Sequence, residues 1–180
     1  MKEQIKKLLE STKREGIYAL TAAMEAGGFF TAPCSGAHHL AKPGGLAEHS
    51  LNVYNLAVKL NESLSAQLPE DSLIIASLLH DLGKMGDFGK PNYVENYLKN
   101  GKISDSKPYT TNPDLLYVDH EIRSVSIASQ YIKLTEDEYF AILYHNGLYG
   151  NLKYALQGKE TKLYLILHTA DMWASRVSEV

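Results

Sequence analysis

Residues 70–84 read EDSLIIASLLHDLGK, and this stretch decides the fold. Leu73, Ile74, Ile75, Ala76, Leu78 and Leu79 leave almost no polar face on a helix drawn through them. A helix that is apolar nearly all round sits at the centre of a protein, covered by other helices. Its pattern predicts a helix over about Glu70–Leu82, with Gly83 as a C-terminal stop. The last turn then holds His80 and Asp81. A buried carboxylate costs several kcal/mol unless it is paired. The negative end of the helix macrodipole makes this position worse still. A metal cation resolves both problems, because it turns the carboxylate and nearby imidazoles into ligands. Adjacent helical residues point about 100° apart, so His80 and Asp81 can share one ion only at a helix end or across a splayed site.

Moving toward the N-terminus, Leu46, His49, Val53, Leu56, Ala57, Leu60 and Leu64 fall within one stripe of roughly 100°. His49 therefore faces inward with the leucines. Residues 29–45 contain Pro33, Pro43, Gly36, Gly44 and Gly45 and read as a loop. Two more helices precede it, at 3–14 and about 17–26, the second stopping at Gly27-Gly28. Moving the other way, residues 85–118 form a long irregular insertion, with Asn100-Gly101 as a β-hairpin signal. Helices resume at about 119–133. Thr135 and Glu138 form a capping-box pattern that opens a helix running to about His145. The last helix spans about 160–178 on the stripe Leu163, Ile166, Leu167, Ala170, Trp173 and Val177. Asp171 lies at the edge of that stripe, one turn beyond His168. The expected fold is all-α, a single domain over 1–180 of about six to eight helices, with its motif-bearing core at 44–178.

The 180 residues, 44% hydrophobic and 22% charged, suit one soluble domain with its own core. A net charge of −3 offers no general attraction for nucleic acid, though a local patch stays open. One cysteine, Cys34, excludes a disulfide framework and a cysteine-based zinc site within one chain. Any metal is then expected on nitrogen and oxygen. The opening MKEQIKKLLESTKRE lacks the apolar run of a signal peptide, and no stretch approaches the ~20 apolar residues of a membrane span. The expected location is the cytoplasm, with no membrane partner.

GGLAEHS, SLLHDLGK and LHTADMW resemble the motifs of the HD superfamily of metal-dependent phosphohydrolases, and together they span 44–173. The stretch APCSGAHHLAKPGGLAEHSLNV (32–53) is also similar to the HD module of certain 3′→5′ exoribonucleases. A chain of this length has no room for their OB-type module. The Gly-Tyr-Pro motif of the cyclic-di-GMP branch does not occur. The resemblance implies an HD helical bundle. It implies that His49, His80, Asp81 and Asp171 bind a first divalent metal, and that Asp81 bridges to a second held by His120 and His145. Some branches carry a further His beside the fifth ligand. Asn146 stands there, so a third metal is not assigned.

Such a ligand set suits Mn²⁺, Fe²⁺ or Co²⁺ better than Mg²⁺, which prefers oxygen and keeps its waters, or Zn²⁺. Two ions can activate water and polarise a phosphoryl oxygen. Asp81 and Lys84 are the catalytic candidates. Lys84 either offers its charge to a phosphate or is simply a solvated lysine favoured by the macrodipole. His38, His39, Asn146 and Arg123 are candidates for substrate binding, although the His38-His39 pair could equally fix its loop. Arg176 could hold a phosphate, and His168 reads as a partner behind the ligands. The expected activity is hydrolysis of a phosphoester in a nucleotide, another phosphorylated small molecule or a short single-stranded nucleic acid. That is a reaction of the nucleotidase or phosphodiesterase type. Two alternatives use the same residues: a mixed-valence di-iron oxygenase, whose motif also ends in Gly-Lys, and a non-catalytic, metal-stabilised nucleotide-binding module. Substrate and oligomeric state are not legible at this level.

Overall fold

The helix of residues 70–79 is the axis around which the others gather. In the computed structural model, which describes residues 1–179, this helix is α4 (Glu70–Leu79), and every residue from Leu73 to Leu79 is buried. Val180, the last residue of the expected domain, lies outside the described residues. Around α4 pack α1 (Lys2–Ser11), α3 (Gly45–Ser63), α6 (Glu136–Tyr144) and α8 (Lys162–Trp173). The set is completed by α2 (Ile17–Ala26), α5 (His120–Ser129) and the short α7 (Lys153–Leu156). The result is the expected all-α bundle, and eight α-helices among the described residues fall within the expected number. No described helix is long and apolar enough to cross a membrane.

Besides α1, which stops at Ser11 instead of residue 14, three helix ends differ from the expected ones. The first is α4, which stops at Leu79 instead of Leu82. His80 keeps helical dihedrals, but Asp81 leaves them (φ −102°, ψ 12°), and the chain tightens into a 3₁₀ turn over Leu82–Met85. The cause lies in α5. A Cβ on Gly83 would stand 2.3 Å from the His120 carbonyl and 2.8 Å from Arg123 Cβ, so only glycine lets the turn meet the start of α5. The Gly83 N–H donates to Ser124 Oγ (2.8 Å), which donates in turn to the His120 carbonyl (2.8 Å). The second is α5, which ends at Ser129, short of residue 133. The third is α8, which ends at Trp173 and continues as a π-wound turn, Ala174–Ser178.

α6 opens as the capping box predicts. Glu138 N–H donates to Thr135 Oγ1 (3.2 Å), and Thr135 N–H donates to Glu138 Oε2 (2.9 Å). The same carboxylate receives Ser72 Oγ (2.8 Å) and both terminal nitrogens of Arg14, the Nη1 bond being 2.7 Å. One acidic side chain thus ties the α1–α2 connection, α4 and α6 together.

The 85–118 insertion does contain a hairpin. β1 (Tyr93–Glu95) pairs antiparallel with β2 (Tyr109–Thr111), Tyr93 opposite Thr111. Tyr97 then bridges to Ile103, and Gly101 (φ +77°) makes the turn. The arms are unequal, with residues 104–108 bulging from the second. Asn96 closes the bulge by donating to the Pro108 carbonyl and accepting from Ser104 N–H, both at 2.9 Å.

Candidate metal centre

Five helices deliver side chains to one point. α3 carries His49, the end of α4 carries His80 and Asp81, α5 begins with His120, α6 ends against His145, and α8 carries Asp171. Because α4 ends before Asp81, the dyad can turn both side chains to the same place. Asp81 Oδ2 lies 3.5 Å from His49 Nε2 and 3.4 Å from His80 Nε2. Its other oxygen, Oδ1, lies 3.2 Å from His120 Nε2 and 3.4 Å from His145 Nε2. Asp171 Oδ1 stands 3.1 Å from His49 Nε2. All six residues singled out in the sequence meet here, and one carboxylate divides the four rings into two pairs.

The far nitrogen of each ring faces an acceptor. His80 Nδ1 donates to the Ser77 carbonyl (2.8 Å) and His145 Nδ1 to the Ile142 carbonyl (2.7 Å). His49 Nδ1 lies 2.9 Å from Glu179 Oε2, and His120 Nδ1 lies 3.3 Å from Glu121 Oε2. Carbonyls and carboxylates only accept, so the proton of a neutral ring belongs on Nδ1 and the Nε2 lone pair faces the centre. There the lone pairs confront one another: His49 and His80 Nε2 are 3.3 Å apart, as are His120 and His145. Asp81 Oδ1 is buried between them without a hydrogen-bond donor. Lone pairs and an orphaned carboxylate oxygen fit divalent cations well. Two sets, His49–His80–Asp171 and His80–Asp81–His145, each gather their ligand atoms within 4.8 Å.

The electrostatics also call for positive charge. Burial opposes the ionised form of Asp81, yet Lys84 and His80 hold its carboxyl well below the usual carboxylate range. Asp171 is likewise lowered against its burial, mainly by His49. Burial pulls the His49 and His145 rings down, but neighbouring anionic groups more than reverse this and raise both. At His120 burial prevails and the ring is lowered.

A cavity of about 400 Å³ opens onto the centre, with Lys84, His145, Asn146 and Asp171 at its base and His38, His39, Tyr149 and Arg176 among its walls. Lys84 Nζ donates to Asp81 Oδ2 (2.7 Å). Asn146 Nδ2 lies 3.3 Å from His120 Nε2. His168 donates through Nδ1 to the His145 carbonyl (2.7 Å), and the Arg176 guanidinium lies over the Tyr149 ring, 5.3 Å from its centroid. Arg123 stands apart from the cavity. It is buried, donates to the Leu116 carbonyl (2.9 Å) and pairs with Asp87 (3.5 Å), so it clamps both ends of the 85–118 insertion.

Three residues at the centre escape a reading of the sequence. Glu179 reaches back from beyond the π-wound turn to His49, and Asn52 Nδ2 steadies it at 2.9 Å. No local pattern signals this. Glu121 follows His120 directly, and the His-Glu pair was its only trace. Cys34, which cysteine counting removed from metal chemistry, has its sulfur 4.0 Å from Asp81 Oδ2 and 3.2 Å from His39 Nε2.

Among known families, the HD domain matches residues 46–171, a span that contains all six residues. Neither the curated proteins nor the solved structures yield a match.

Proposed function

This chain belongs to the HD-domain family of metal-dependent phosphohydrolases, and on that premise we propose that it hydrolyses a phosphoester of a nucleotide or short nucleic acid at a dinuclear centre. The observation that carries this reading is the division of labour at Asp81, whose two oxygens face two separate pairs of Nε2 lone pairs. His49, His80, Asp81 and Asp171 would hold one ion, and Asp81, His120 and His145 the other. Ions of the Mn²⁺, Fe²⁺ or Co²⁺ class would supply an activated water and a polarised phosphoryl oxygen.

The chain's own groups do the rest. Ser77, Ile142, Glu121 and Glu179 fix the tautomer and direction of the four rings, so the ligand atoms are aimed before anything binds. Lys84 carries its ammonium at the cavity base, where it can donate to a non-bridging phosphoryl oxygen as charge develops. Burial opposes that charge, but Asp81 outweighs it and keeps the amine protonated. The Asn146 amide can donate beside it, while His38 and His39 line the approach. A cavity of about 400 Å³ lies within the range of about 300–1,000 Å³ that small-molecule sites occupy. In-line attack on phosphorus then depends mainly on positioning and charge.

The test is a substrate panel. Protein stripped of metal and reloaded with Mn²⁺ or Fe²⁺ is offered phosphomonoesters, phosphodiesters, nucleotides and short single strands. Metal-dependent hydrolysis of at least one class is expected, with two ions per chain. Full metal loading with no hydrolysis anywhere in the panel would sink the reading.

A further inference from the structure

Cys34 has no task in the hydrolytic scheme and His39 only lines its approach, yet the loop that carries them is built to hold them side by side. Cys34 N–H donates to the Leu40 carbonyl (3.2 Å), closing the loop. Ser35 Oγ accepts from His38 N–H (2.9 Å) and donates to the His39 carbonyl (2.8 Å). The loop lies directly on the first turn of α3. A Cβ on Gly45 would fall 2.0 Å from the Leu40 carbonyl oxygen and 3.1 Å from Cys34 N, so a larger residue would lift the loop away. The contact brings the loop to His49, four residues further along α3.

The outcome is a cluster of ligand atoms. Cys34 Sγ sits 3.2 Å from His39 Nε2, and the His39 and His49 rings lie 4.9 Å apart. One ligand atom from each of Cys34, His39 and His49 falls within 4.8 Å of the others. Cys34 is fully buried, but His39 lines the cavity, so an ion has a way in. One sulfur and two imidazole nitrogens form a softer set than the nitrogen and oxygen ligands around Asp81, and such sets select zinc-like ions.

We propose that Cys34, His39 and His49 form a distinct site for a thiophilic divalent cation of the zinc and cobalt type. It adjoins the Asp81-centred cluster and shares His49 with it. The site does not depend on whether the protein hydrolyses phosphoesters. Because one His49 lone pair cannot serve two ions, filling the sulfur site draws His49 away from Asp81.

Cobalt reads this directly, since a thiolate bound to Co²⁺ absorbs in the near ultraviolet and a nitrogen–oxygen site does not. Titrating Co²⁺ into metal-free protein should produce that charge-transfer band. As Cys34 is the chain's single cysteine, the band reports this residue alone. His39→Ala should move its midpoint to at least about tenfold higher cobalt, the lower bound for groups arranged around a metal. Cys34→Ser should abolish the band while cobalt still binds at the remaining ligands, and Cys34→Ala serves if serine unsettles the buried position. Circular dichroism checks that each variant is folded. Wild-type protein saturated with cobalt yet lacking the band would overturn the proposal, and so would a band unmoved by His39→Ala. If the band appears but Cys34→Ser binds no cobalt at all, the dinuclear reading fails and the sulfur site stands.

Discussion

Glu138 and Asp81 are both buried carboxylates, 0% and 1% exposed, and they are surrounded in opposite ways. Glu138 receives Arg14, the Thr135 N–H and the Ser72 hydroxyl. Protein donors answer its charge completely. Asp81 receives one charged protein donor, Lys84, and at 4.0 Å the Cys34 thiol, and otherwise meets four ring nitrogens whose lone pairs, in the neutral rings, point toward it. A carboxylate saturated with donors holds helices together. A carboxylate ringed by acceptors is a place prepared for cations.

The largest expected effect breaks the second environment. Asp81→Asn should lower metal-dependent hydrolysis by about 10³-fold or more, the upper scale for losing one key electrostatic group. Elemental analysis should show metal lost with it. In metal-free protein the same change should lower the melting temperature less than Arg14→Ala does. If the order is reversed, the contrast between the two carboxylates is wrong. Arg14→Ala leaves Glu138 buried without its counterion and should cost about 3–5 kcal/mol in urea unfolding. Activity per folded molecule should stay unchanged. A similar loss of activity would mean the two clusters are coupled.

Lys84→Ala sharpens the comparison, because it removes the ammonium that donates to Asp81. Hydrolysis should fall by about 10²-fold with two ions still bound. Loss of metal instead would make Lys84 a prop for the ligands and not a partner of phosphate. The smallest effect belongs to Glu179→Gln, which keeps the reach to His49 but removes the charge behind it. Metal affinity, read by calorimetry, should weaken by about tenfold, the low end for groups behind a ligand. Unchanged affinity would show that the charge on Glu179 does nothing for His49.

How far each environment is legible in the chain follows from the range of its contacts. The capping half of the Glu138 cluster can be read because Thr135 and Glu138 are three residues apart. The Arg14 half cannot, since it spans 124 residues. The Asp81 cluster is legible for another reason: an ionisable pair on a helix apolar all round is a contradiction that only a site resolves. His49 and Asp171 follow from apolar stripes, and the hairpin turn from Asn100-Gly101. The bulge at 104–108 depends on bonds from Asn96 that no periodicity records. Glu179 reaches His49 only because the chain leaves α8 by a π-wound turn. Arg123 shows no sign in sequence of whether it faces the cavity or the insertion. Cys34 is not legible as a ligand, because a count of cysteines ignores sites that mix sulfur with imidazole.

The clamp that Arg123 places across the ends of the insertion gives the molecule a handle. Asp87 and Leu116 are fastened to α5, and Tyr109 N–H is fastened to the Gly36 carbonyl (3.1 Å), so the base of the hairpin is anchored. The tip, residues 98–102, stands out in solvent with open space around Gly101. An epitope, fluorophore or purification tag grafted at Asn100-Gly101 should leave folding and metal content intact, because the added chain would hang from an anchored base away from the bundle.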